Sequence, residues 1–159
     1  GKGSTWEGGI RVPTVIWGPG YIKSGIVDDI GTSMDLFSTF SHLAEVEIPN
    51  DRIIDGNNLI DVFKSLSKSP TESFFYYWGS ELMAVRYNSY KLHLNLYEAY
   101  DGKPMEILET PFLYNLDIDP SEKNNIYKDD LEVLNKIDEI IKKHKSDLII
   151  AKDLLIDLK

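Results

Sequence analysis

"LMAVRYNSYKLHLNLY", residues 82–97, decides the fold. Val85-Arg86-Tyr87 and Tyr90-Lys91-Leu92 are apolar, aromatic runs on either side of Asn88-Ser89. Two such runs joined by two turn-forming residues read as an antiparallel hairpin. The same texture extends outward in both directions, to "SFFYYWGS" at 73–80 and "PFLYNLDIDP" at 111–120. Together these stretches predict three or four antiparallel strands forming a small sheet with one wet face. "EAYDGKPMEILETP", residues 98–111, reads as the long loop between them. Beyond the strands, from Asp129 to about Lys145, Leu131, Leu134, Ile137, Ile140 and Ile141 share one helical stripe opposite Lys and Glu. A helix with such a stripe is suited to cover the sheet.

The first half reads differently. Ile10 to Trp17 is a β-branched run expected to form a buried strand, and "GPGYIKSG" is a loop. Thr32 or Ser33 then caps a predicted helix over Ser33–Val46, with Asp35 in its first turn. Met34, Phe37, Phe40 and Leu43-Ala44 recur at three-to-four-residue spacing, so one face of that helix is apolar and calls for a sheet to lie on. Pro49–Gly56 is a turn-rich link, followed by a short amphipathic stretch from Leu59 to Leu66.

Composition limits the function classes. A chain of 159 residues with 42% hydrophobic content can bury a core. Its longest apolar runs, Val12–Trp17 and Leu148–Ala151, are far short of a membrane span. The formal net charge of −9, with cationic residues scattered along the chain, argues against a nucleic-acid partner. With no cysteine the chain has neither disulfides nor thiolate metal ligands. The acidic pairs Asp28-Asp29, Asp117/Asp119 and Asp129-Asp130 lack the glycine and closing glutamate of a calcium loop and read as caps and turns.

Gly1-Lys2-Gly3-Ser4-Thr5 invites comparison with a phosphate-binding loop, but Gly3 stands where that pattern needs Ser or Thr. A turn and a strand, rather than a helix, are expected to follow the lysine. Glu7 and Arg11 are four apart around Gly8-Gly9 and are candidates to pair across that turn and brace it. His93 is the one histidine in a strand-like context, and a structural strand histidine with a polar partner is one reading of it. His42 and His144 fall on predicted helices and read as surface groups. Alternation puts about half of Phe74, Phe75, Tyr76, Tyr77 and Trp78 in the core, leaving sugar stacking as a minor reading.

Four stretches, taken in order, resemble one family. "GKGSTWEGGIRVPTVIWGPG" (1–20) is similar to the lysine-containing signature of the formylglycine-dependent sulfatases, the arylsulfatase family within the alkaline phosphatase superfamily. "TSMDLFSTFSHLAEVEIPNDRIIDGNNLIDVF" (32–63), "MAVRYNSYKLHL" (83–94) and "LYNLDIDPSEKNNI" (113–126) resemble later landmarks of that family. The resemblance implies an α/β protein, α+β within this chain: the last strand and helix of a large sulfatase domain over 1–68, then a small antiparallel sheet covered by a helix over 69–159. It implies a sulfuric ester hydrolase acting on a sulfated small molecule or glycan, in a periplasmic, secreted or lysosomal setting.

It further implies that Lys2 contacts the sulfate as a catalytic and substrate-binding residue, and that a histidine of the C-terminal half, with His93 the candidate, faces the substrate. The family's calcium ion and formylglycine come from residues upstream of the lysine segment, so no metal ligand is expected here and the chain alone should be inactive. The remainder of a sulfatase chain is the expected partner, with self-association through the uncovered apolar faces. The alternatives are a non-catalytic glycan- or partner-binding module, and a phosphonate or phosphodiester hydrolase of the same superfamily.

Overall fold

The computed structural model describes residues 1–149. Its centre is a four-stranded antiparallel sheet of β1 (Ser73–Trp78), β2 (Glu81–Tyr87), β3 (Tyr90–Leu96) and β4 (Glu106–Asn115), ordered β1-β2-β3-β4. Tyr87 pairs with Tyr90 around the expected Asn88-Ser89 turn, where Asn88 takes the left-handed conformation at φ 50. The β1–β2 register slips between Tyr76 and Tyr77, leaving Met83 as the extra residue of a bulge. β4 begins at Glu106, so the expected 98–111 loop is shorter than its sequence suggested. Pro111 pointed to a strand start; inside β4 it is tolerated because that strand lies at the sheet edge.

One face of the sheet is covered by α4 (Leu131–Asp147), as its stripe requires. Asp130 caps the helix by accepting from the Val133 N–H at 3.1 Å. Ile137 and Ile141 pack with Leu82, Val85, Leu92 and Leu113, flanked by Val133 and Leu134. Burying an isoleucine as completely as Ile137 contributes about 1.5–3 kcal/mol. Leu131, expected on the stripe, is exposed instead. His144, expected at the surface, is half-buried: it stacks on Phe75 at 3.6 Å, and its Nε2 lies 2.8 Å from the Tyr77 hydroxyl. The Leu148–Ala151 run lies partly outside the described residues, as does the end of the 69–159 stretch.

The opposite face is not wet. Ala84, Lys91 and His93 point there and are fully buried, because the first ten residues and the 119–122 turn lie over them. This burial brings the first ten residues, β3 and the 119–122 turn together.

In the remaining N-terminal part, α2 covers only Asp35–Leu43, and Met34 occupies its N-cap without a side-chain cap bond. Neither Thr32 nor Ser33 caps it; instead the Asp35 carboxylate reaches back to the Thr32 N–H at 2.6 Å. It also accepts from the Asn57 N–H at 2.7 Å. Ser38 donates to the Gly56 carbonyl at 2.6 Å, and Thr39 accepts from the Leu59 N–H at 2.9 Å. The polar side of α2 is therefore the buried side, while Met34, Phe37, Phe40 and Leu43 are exposed. The expected strand over Ile10–Trp17 does not form: Ile10 is helical, residues 11–17 have no regular structure and pair with no strand among the described residues, and Val12, Val15 and Trp17 are exposed. A β-branched run needs a neighbouring strand to satisfy its backbone. The Leu59–Leu66 stretch gives a single turn, α3 (Ile60–Phe63), that buries Ile60 and Val62.

Candidate active site

The Gly1–Gly9 segment folds back on itself. Ser4 donates to the Gly1 carbonyl at 2.8 Å, and a Cβ on Gly9 would lie 2.5 Å from the Ser4 carbonyl oxygen, so only glycine fits there. Gly3 adopts φ +88, where its missing Cβ would fall 2.8 Å from that of Ala99, and its carbonyl accepts from the Ala99 N–H at 3.1 Å. The expected turn-then-strand is corrected to one helical turn, α1 (Glu7–Ile10), closed by the Arg11 N–H on the Glu7 carbonyl at 2.9 Å. Lys2 is exposed on this pinned loop and forms no salt bridge among the described residues.

Glu7 and Arg11 do not pair. Glu7 is buried, and its Oε1 accepts from the Lys91 ammonium at 2.9 Å, whereas Arg11 is exposed and contributes only its backbone N–H. A partner 84 residues away wins because it comes from a strand beneath the loop, where both charges leave water together. Glu122, in the left-handed conformation at φ 53, completes the cluster. Its Oε2 accepts from the Glu7 N–H at 2.6 Å, and its Oε1 lies 3.3 Å from the Lys91 ammonium and 2.7 Å from His93 Nε2.

His93 is fully buried. Its Nδ1 is 3.4 Å from the Thr5 hydroxyl, and Trp6 lies over its ring at 4.3 Å. Burial first, then the neighbouring Lys91 charge, hold its pKa below the ordinary histidine range against the opposing pull of Glu122. A neutral ring with its proton on Nε2 donates to Glu122 and leaves Nδ1 to accept from Thr5. Burial alone would raise Glu122, but His93, the Glu7 N–H and Lys91 outweigh it and hold that carboxyl below its usual range. Tyr76 lies beneath the Lys91 ammonium at 4.8 Å; burial and then the Glu7 charge push its hydroxyl up, so it stays protonated.

Lys91 and Glu122 escaped the sequence reading. The available signal was the spacing of Lys91 and His93, two apart in an apolar strand and so on one face, since a lysine inside a core requires a carboxylate partner. Of Phe74–Trp78, the first three side chains are half-buried and Tyr77 and Trp78 are exposed. With Gly3, Thr5, Met83 and Tyr97 they line a cleft of about 370 Å³. The described residues contain no group of three or more His, Asp or Glu suited to a metal, and the sequence has no cysteine. They therefore fit neither a calcium site nor a formylglycine.

Residues 69–159 match the family described as the C-terminal region of aryl-sulfatase, and residues 1–46 match the sulfatase family. An arylsulfatase from Hemicentrotus pulcherrimus is 47% identical over 58% of this chain and 17% of its own length. The N-acetylgalactosamine-6-sulfatase of Rattus norvegicus is 33% identical over 94% of this chain and 33% of its own length. Arylsulfatase A of Homo sapiens is 32% identical over 79% and 28% respectively. The chain thus spans a third or less of these relatives. The PsFucS1 sulfatase from Pseudoalteromonas sp. superposes with a TM-score of 0.80 at 24% identity, over 92% of this chain and 32% of that one, and shares the fold.

Proposed function

The chain belongs to the arylsulfatase family, and from that premise we propose that it is the C-terminal part of a hydrolase of sulfate monoesters in which Lys2 contacts the sulfate. The observation that carries this reading is the contrast within one loop. Gly3, Thr5, Trp6 and Glu7 are each tied to distant parts of the chain and Ser4 closes the loop on Gly1, while the Lys2 side chain has no ion-pair partner among the described residues.

In the proposed reaction, attack at sulfur moves charge onto the bridging oxygen as the alcohol or phenol leaves. An ammonium held nearby stabilises that charge more in the transition state than in the ground state. Lysine suits the task because its charge is compact and its donors rotate, and Gly1 and Gly3 let the backbone approach without a Cβ. Glu7 braces the loop through Lys91, and Arg11 supports it only by closing α1. His93 serves the loop from beneath rather than by touching substrate.

Calcium and formylglycine, which the resemblance implies, would be supplied by other parts of the parent enzyme, so residues 1–159 alone should not turn over an aryl sulfate. Residues 1–68 would complete a large catalytic domain and residues 69–159 would form the small one. Sulfated small molecules or glycans are the proposed substrates, in a lysosomal, secreted or periplasmic compartment. The test is a comparison of kcat/KM for nitrophenyl sulfate, a methylphosphonate ester and a phosphodiester with the intact parent enzyme. Preference for the sulfate supports the proposal. Preference for either phosphorus ester moves the protein to the alternative hydrolase class, and binding of sulfated glycan without turnover of any ester makes it a binding module.

A further inference from the structure

Resting on that reading, we propose that Lys91 is a positioning residue of the reaction: by pairing Glu7 and Glu122 beneath the loop, it fixes the point at which the Lys2 ammonium meets the substrate. Three consecutive loop residues terminate on the cluster that Lys91 centres. Thr5 meets His93 Nδ1 at 3.4 Å, Trp6 packs at a tilt against the His93 ring, and Glu7 is held through both its N–H and its carboxylate. Lys2 is only three residues before the first of these. On its other side the loop has the Gly3–Ala99 hydrogen bond and the Ser4–Gly1 bond, neither of which involves a charge.

The cluster depends on one cation. Glu7 and Glu122 set two carboxylates against the single ammonium of Lys91, His93 is held toward its neutral form, and Glu7 Oε2 is buried without a hydrogen-bond partner. Removing the ammonium leaves the carboxylates facing each other in a site from which water is largely excluded. They would separate, and the loop residues attached to them would move as well. Displacing a reacting group by about 1 Å costs on the order of a hundredfold in rate. Lys91 is fully buried and its ammonium is engaged by Glu7 and Glu122, so its effect on the chemistry is expected to pass through the loop.

The test is a double-mutant cycle between Lys91→Met and Lys2→Ala in the intact parent enzyme, with kcat and KM for nitrophenyl sulfate normalised to folded protein. Lys91→Met should lower kcat on the order of a hundredfold with KM within about threefold. In the Lys2→Ala background it should cost less than about threefold more, because the group it positions has already gone. If Lys91→Met leaves too little folded enzyme, Glu122→Gln, which keeps the side-chain size, takes its place in the same cycle with the same expectation. Equal losses in both backgrounds, with Lys2→Ala itself strongly impaired, overturn the positioning role and leave the sulfate-lysine reading standing. A Lys2→Ala enzyme with near wild-type activity overturns both.

Discussion

Replacing Lys91 with methionine in the 159-residue chain should cost more stability than any other single change at the cluster. The ammonium is fully buried, 2.9 Å from Glu7 and 3.3 Å from Glu122, and methionine matches its stem while removing the charge. Breaking a buried ion pair by deleting one partner costs about 3–5 kcal/mol, chiefly because an uncompensated charge remains. Here two carboxylates remain, so the upper half of that range applies, against a total stability of about 5–15 kcal/mol. Glu7→Gln should cost less, about 1–3 kcal/mol, since Lys91 keeps Glu122 and the glutamine oxygen can still accept from it. The triple change Lys91→Met, Glu7→Gln and Glu122→Gln should recover much of the loss, as no buried charge is then left unpaired. Equilibrium unfolding in urea, followed by tryptophan fluorescence, to which Trp6 beside His93 contributes, and by helix circular dichroism, measures all three. A cost below about 1 kcal/mol for Lys91→Met, or a smaller cost than for Glu7→Gln, would refute the clamp.

Acid should weaken the fold in two stages. Burial holds His93 below its ordinary value of 6.5, so as pH falls through that value the unfolded chain takes up a proton that the folded chain resists, and stability drops. Glu122, also held low, extends the loss below about pH 4.5 as protonation removes its tie to His93 and the Glu7 N–H. In His93→Gln the upper stage should shrink, leaving the contribution of His144, whose pKa burial also lowers; an unchanged slope in urea melts between about pH 6.5 and 5 would contradict this. Gly3→Ala should cost about 1–2 kcal/mol, from a positive φ and a 2.8 Å contact with Ala99, with activity of the intact enzyme falling in parallel; wild-type melting and kinetics would show that the loop does not need this glycine. The exposed Val12, Val15, Trp17, Phe37 and Phe40 should make the isolated chain bind an apolar dye or self-associate, and a dye-silent monomer in analytical ultracentrifugation would count against that surface.

The sheet and its helix were legible because their signals are local. Asn88-Ser89 between alternating runs fixes a hairpin, and the Leu134–Ile137–Ile141 spacing fixes the covering face of α4. The strand expected over Ile10–Trp17 and the apolar face of α2 were read from the same kind of pattern. A pattern identifies an apolar face but not what covers it, and within the described residues both are exposed. The Glu7–Arg11 pairing went wrong for a related reason. Spacing reports neighbours along the chain, whereas Lys91 reaches Glu7 from a strand 84 residues later, and Glu122 closes the site from a turn. Lys2 was conspicuous between its glycines, but what holds its loop still was distributed over three distant parts of the sequence.

The most direct test of the central claim is the steady-state kinetics of Lys2→Ala and Lys2→Arg in the intact parent enzyme, alongside thermal melts. An exposed loop lysine contributes little packing, so neither change should move the melt appreciably. An ammonium aimed at the leaving oxygen is worth roughly 3–4 kcal/mol, so Lys2→Ala should lower kcat/KM for sulfate esters on the order of a few hundredfold. Lys2→Arg should be nearly as damaging, because the planar fork cannot occupy the same point. A Lys2→Ala enzyme that keeps more than about a third of wild-type kcat/KM with an unchanged melt would make Lys2 a surface lysine and contradict its assignment to the sulfate site.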